Sequence, residues 1–260
     1  DCLQHVHNAK AITHLITVSC TGMSAPGLDL QVMELMDLPK DTHRTSVNFM
    51  GCYAAIQALK MADAFCTANP QAQVLIVSTE LCTLHFQREH TMDNIASSLL
   101  FGDGSAAALV VSNNHAAKGL VLDDFYSEVI TKGKRDMAWE LSSQGFVMTL
   151  SGYIPELIEE DFQAILQRAM AKTNSDVSSV SHWCIHPGGK RILEAIERSL
   201  HLSSQALLPS YEVMKDYGNM SSATILFVLK KILHDKKEIK KLAAAAFGPG
   251  LTFETFTAHC

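Results

Sequence analysis

At 260 residues, with 47% hydrophobic and 18% charged side chains, the chain can bury a substantial core and is too apolar for disorder. Its 21 basic residues stand against 27 acidic ones, a formal net charge of −6, with no basic run beyond short Lys pairs. This excludes phosphate-driven nucleic-acid binding, and apolar stretches such as 99–111 and 242–253 are broken by Gly or Asp before bilayer length, which excludes a transmembrane helix.

The predicted elements alternate between strand and helix, so the fold class is α/β. Ile12–Ser19 is an apolar, β-branched run that ends in Cys20-Thr21-Gly22, and Leu28–Met36 is helical up to Pro39. Ser46–Phe49 is extended, Cys52–Ala68 is a helix of small and apolar residues, and Val74–Ser78 is a buried strand. Asp103-Gly104 predicts a hairpin, or a strand entered through a tight turn. The boundary falls at 118/119, giving segments 1–118 and 119–260. In the second, Pro155–Ala171 is a helix, Val180–Ile185 a strand and Lys190–Leu200 a helix. Met220–Leu233 is a further helix, and Ala243–Phe256 forms a hairpin broken at Gly248-Pro249-Gly250.

The segments repeat one another. Ile12-Thr13-His14-Leu15 matches Val180-Ser181-His182-Trp183, and Gly51-Cys52-Tyr53-Ala54-Ala55 matches Asn219-Met220-Ser221-Ser222-Ala223. Phe101-Gly102-Asp103-Gly104 has an inexact echo in Phe247-Gly248-Pro249-Gly250. Such a repeat predicts a pseudo-twofold structure with a site where the equivalent turns meet.

Cys2, Cys20, Cys52, Cys66, Cys82, Cys184 and Cys260 carry no CxxC pair, which predicts a reduced, cytoplasmic protein without a metal site. Cys52 follows a glycine at a predicted helix start, where free N–H groups favour a thiolate; the alternative is a buried, inert thiol. His186 ends a strand above Pro187-Gly188-Gly189 and either caps the strand or faces a cleft. His182, four residues earlier on the strand, lies about 13 Å away, too far to share a metal ion. Asn219 is either an N-cap or an amide donor aimed at a developing negative charge.

Taken in order, these stretches resemble one family. Phe49-Met50-Gly51-Cys52-Tyr53-Ala54, Leu100-Phe101-Gly102-Asp103-Gly104, His186-Pro187-Gly188-Gly189, Tyr217-Gly218-Asn219-Met220-Ser221-Ser222-Ala223 and Phe247-Gly248-Pro249-Gly250 are similar to the signatures of type III polyketide synthases. These are the chalcone and stilbene synthase-like enzymes. Ser19-Cys20-Thr21-Gly22 and Glu80-Leu81-Cys82-Thr83 look more like the bacterial members.

The resemblance implies a thiolase-like αβαβα fold of two pseudo-repeated halves, and a catalytic triad of Cys52, His186 and Asn219. Cys52 would take an acyl group from a CoA thioester, with His186 holding the thiolate as an ion pair. His186 and Asn219 would bind the malonyl-CoA thioester for decarboxylation. Substrate-binding positions implied are Phe101 as aromatic gatekeeper, Met148 as a second gatekeeper, Cys20, Cys82, Trp139, Ser221, Gly248 and Pro249. Acyl-CoA and malonyl-CoA are the expected partners, with no further cofactor. A homodimer is expected, although Ala25 stands before Pro26 where plant members place a Met that reaches the partner subunit's cavity. The resemblance also implies an opening segment upstream of Asp1, leaving the first half incomplete. Two other readings follow from the same residues. One is a ketoacyl-ACP synthase III-like condensing enzyme, and the other is a non-catalytic thiolase-fold dimerisation module.

Overall fold

The computed structural model describes residues 8–114, 119–134, 136–143, 145–172, 175–235 and 238–260. Cys2 and the 118 side of the expected boundary lie outside the described residues. The first sheet is built from β1 (His14–Ser19), β2 (His43–Asn48), β3 (Gln73–Glu80) and β4 (Gly104–Val111), with α1 (Leu28–Met36), α2 (Ala54–Ala68) and α3 (Met92–Leu100) between them. Its order is β2-β1-β3-β4, with β4 alone antiparallel. After β5 (Val121–Val129) comes a separate hairpin, β6 (Met137–Ser142) and β7 (Gly145–Leu150). Then follow α4 (Ile154–Ala171), β8 (His182–Ile185), α5 (Lys190–Leu200), α6 (Leu208–Tyr217), α7 (Thr224–His234), β9 (Leu242–Gly248) and β10 (Thr252–His259). The second sheet runs β5-β10-β9-β8, with β8 and β9 parallel.

Alternation along the central strands sorts the core into layers. Leu242, Ala244 and Ala246 of β9 face a core shared with Ile16 and Val18 of β1 and with helices α2 and α7. Ala243, Ala245 and Phe247 face the opposite way, into a core with α4 and α5. Leu15, Leu75 and Val77 of the first sheet pack instead with Val32 of α1. The layers are therefore α1, first sheet, α2 with α7, second sheet, and α4 with α5. Four consecutive alanines in β9 are all buried, and small side chains let helices approach both faces of the strand. The αβαβα expectation holds.

The repeat is visible in individual hydrogen bonds. Thr13 Oγ1 bonds the carbonyl of Gln73 at 3.2 Å and His14 Nδ1 at 2.8 Å. Ser181 Oγ does the same to Lys241 O at 2.9 Å and His182 Nδ1 at 3.0 Å. In each case the partner strand lies 60 residues along the chain. The glycine-turn echo is only positional. Phe247-Gly248 closes β9 and β10 follows after the short turn Pro249–Leu251, whereas a long connection carrying α3 separates β3 from Phe101. Asp103-Gly104 is a strand entry rather than a hairpin, because Leu99 and Leu100 end α3.

Candidate active site

Cys52 sits in the turn between β2 and α2, two residues ahead of the helix. Phe49 and Gly51 have φ of 58° and 87°, which turns the chain sharply and brings Cys52 to the helix N-terminus. Only glycine fits at 51, because a Cβ there would also collide with the ring of Pro249. The Cys52 thiol donates to Ser221 Oγ at 3.7 Å. Burial pushes this thiol up to about 12; the Glu80 carboxylate adds to the rise, while bonds from Ser221 and Asn219 oppose it.

His186 immediately follows β8 and is 1% exposed. Its N–H extends the ladder to Ala245 O at 2.9 Å, and Pro187, lacking an N–H, cannot continue it. Both ring nitrogens are buried without a hydrogen-bond partner among the described residues. Burial pushes the imidazole down to about 3. Burial therefore favours the neutral forms of both thiol and imidazole.

The side-chain amide of Asn219 ties two turns together. Its Oδ1 accepts from Ser221 N at 2.9 Å, closing an Asx-type turn ahead of α7. Its Nδ2 donates to Gly188 O at 3.4 Å, in the turn that follows His186. Its backbone bridges to the stretch around Phe101, with Asn219 N to Leu100 O at 2.9 Å and Gly102 N to Asn219 O at 3.0 Å. Three of the sequence motifs thus meet on this one residue.

Behind Cys52 lies a fully buried carboxylate, Glu80 at the end of β3. It accepts from Cys20 N at 2.9 Å, Thr21 Oγ1 at 2.7 Å and Ser222 Oγ, so it ties the β1 turn to the segment before α7. Cys20 Sγ accepts from Gly51 N at 3.0 Å. Burial, followed by the charge of Glu80, holds the thiols of Cys20 and Cys82 well above the usual range.

A cavity of about 350 Å³ opens in front of these groups. It is lined by Cys52, His186 and Asn219, and also by Cys20, Cys82, Phe101, Met148, Trp139, Ser221 and Pro249. Gly248 is the exception. It packs against the ring of Tyr53 and the backbone of Cys52, so it backs the nucleophile rather than lining the space. Sequence reasoning missed Glu80, His85 and Phe146. The rings of Phe146 and Trp139 stack at 5.7 Å on the β6–β7 hairpin, and Trp139 Nε1 donates to Cys20 O at 3.2 Å. No motif marks His85 or Phe146, and Glu80 opens the stretch Glu80-Leu81-Cys82-Thr83 without a role assigned to it there.

The sequence matches "Chalcone and stilbene synthases, C-terminal domain" over residues 123–260 and the corresponding N-terminal domain over 4–114. The chain belongs to the chalcone and stilbene synthase family. A Bacillus subtilis relative named with the chalcone synthases is 36% identical over 91% of this chain and 67% of its own. A Mycobacterium tuberculosis protein named for alpha-pyrone synthesis and as polyketide synthase-like is 29% identical, over 95% of this chain. The chain spans 65% of that relative's length. Among solved structures, the tetrahydroxynaphthalene synthase of Streptomyces coelicolor, a bacterial type III polyketide synthase, superposes with a TM-score of 0.92 at 29% identity. That match covers 99% of this chain and 74% of the other. This chalcone synthase-like chain is thus a thiolase-fold member of an acyltransferase family. No helix among its described residues is long and apolar enough to cross a membrane.

Proposed function

We propose that this family member extends an acyl-CoA starter with malonyl-CoA by decarboxylative Claisen condensation, and that segments 1–118 and 119–260 divide the work. The first segment contributes Cys52 and the second His186 and Asn219. The observation that carries this reading is the convergence of these three side chains on one cavity, with Ser221 and Asn219 hydrogen-bonded at the sulfur.

Cys52 attacks the starter thioester as its proton passes to His186, which gives the thiolate–imidazolium pair at the moment of reaction. CoA leaves as its thiol. Malonyl-CoA then presents its thioester oxygen to His186 and the Asn219 amide. Loss of CO₂ leaves an enolate whose negative oxygen those donors hold, and its carbon attacks acyl-Cys52. The C–Sγ bond breaks to free the Cys52 thiolate, and the extended chain, now on CoA, is taken back by Cys52 with release of CoA. The chain grows by two carbons per round and closes to a ring. CoA thioesters are the only small-molecule partners required, and the working unit is a cytoplasmic homodimer.

The cavity wall favours aliphatic starters, including long ones. Met148 is flexible and unbranched at Cβ, so it can move aside for a thin chain, and Cys20 and Cys82 make the wall apolar. The stacked rings of Trp139 and Phe146 narrow the space against a bulky aromatic acid. Alkylpyrones or alkylresorcinols are the expected products. Competition between lauroyl-CoA and coumaroyl-CoA with malonyl-CoA, read by mass spectrometry, tests this. Lauroyl-derived products should dominate, and plugging the cavity with Cys20→Phe should suppress them. Preference for coumaroyl-CoA, or no effect of the plug, contradicts it.

A further inference from the structure

His85 is a second histidine on the cavity wall, across Cys20 and Thr21 from the nucleophile. It ends the 3-10 turn Cys82–His85 that follows β3. Its Nε2 lies 2.7 Å from the carbonyl oxygen of Thr21. A carbonyl only accepts, so Nε2 carries the proton, and in the neutral ring Nδ1 keeps its lone pair. Nδ1 has no hydrogen-bond partner among the described residues. It is also not sealed off, unlike the two nitrogens of His186. The ring is held edge-on by Trp139 at 5.0 Å and Phe146 at 5.9 Å. A tethered tautomer with a free, accessible nitrogen in a reaction cavity has the form of a positioned general base.

The inference rests on the reading of this cavity as a polyketide site. In that reading His186 and Asn219 are engaged at the thioester, while release of the product needs a proton taken from the chain itself. We propose that His85 is the base that closes the ring. The enol hydroxyl on C5 of a triketide held on Cys52 gives its proton to His85 Nδ1. Its oxygen forms a bond to the thioester carbon C1, the C1–Sγ bond breaks, and the electron pair leaves on sulfur as the Cys52 thiolate. The pyrone departs, and His85 passes the proton to solvent.

His85→Gln separates this role from a purely structural one, because the Gln amide can still donate to Thr21 O but is no base. With lauroyl-CoA and malonyl-CoA, the full polypeptide carrying His85→Gln should still acylate Cys52 and decarboxylate malonyl-CoA, with far less loss in these steps than in release. Pyrone release should fall about 100-fold, with extended chains accumulating on Cys52 by intact mass. His85→Phe, which keeps an aromatic ring without a base, should show the same block. Unchanged release in His85→Gln overturns the proposal, as does an equal loss of loading and release, which would leave His85 only its tie to Thr21. A wild-type protein that takes up no acyl group would instead overturn the polyketide reading on which this one stands.

Discussion

The turns that precede α2 and α7 occupy equivalent places in the two sheets, yet one presents Cys52 to a cavity and the other buries Met220 at 1% exposure beside Gly104. The ends of β1 and β8 diverge in the same way. Aligned on Thr13 and Ser181, Val18 matches His186. Val18 lies in the shared core because β1 runs on to Ser19, whereas β8 stops at Ile185 with Pro187 close behind. The residues that repeat hold the strands together. Those that break the repeat stand at the cavity, so the proposed chemistry rests on a few exchanged positions on a duplicated scaffold.

This contrast can be broken first at Asn219, which has glycine, Gly51, at its equivalent position. Asn219→Ala should reduce malonyl-CoA decarboxylation by roughly 10²–10³-fold, as loss of one preorganised donor does. Starter loading on Cys52 should largely survive, while His186→Ala should damage both steps. An equal loss of loading in the two variants counts against the division of roles. Met220 sharpens the contrast from the other side. Met220→Ala should cost roughly 2–5 kcal/mol in a urea melt, the usual price of truncating a buried Met.

A smaller effect separates His186 from Val18 by pH. Burial holds the folded-state imidazole down to about 3, whereas in the unfolded chain it titrates near 6.5. The unfolded chain therefore binds the extra proton. Stability from this group is complete above about pH 6.5 and is lost as pH falls toward 3. At pH 5 the loss should be about 2 kcal/mol relative to pH 7, and His186→Asn should flatten that slope. A slope unchanged in the variant would show that other groups set it. The smallest effect tests the repeat itself. Thr13→Ala and Ser181→Ala remove matching bonds, and each should cost about 1 kcal/mol. A large inequality would mean that the two sites are not equivalent in energy.

The legible parts of the fold were those with strong local signals. β1, β3, β8 and β9 are buried on both faces and read as continuous apolar runs, and α4 and α5 carry clear apolar stripes. α3 went unread because it has no buried residue: Met92 and Leu99 are exposed although apolar. β6 and β7 are a half-exposed hairpin, and α6 buries only Ser210 and Val213. Cys52, His186 and Asn219 stood out in the sequence because each lies beside a glycine-dependent turn. His85 and Phe146 did not, since they become neighbours only when the hairpin folds over the 3-10 turn. Glu80 stands at the end of a legible strand, but its partner Ser222 comes from the far segment of the chain.

The most direct test of the account is the site of acyl attachment. The full polypeptide is incubated with lauroyl-CoA alone, quenched, and the acyl group located by peptide mass mapping. One acyl group on Cys52 is predicted, absent in Cys52→Ala and retained in Cys66→Ala, whose thiol lies in the shared core. Acylation of Cys20 or Cys82, or undiminished acylation in Cys52→Ala, would contradict the assignment of the nucleophile and the reading built on it.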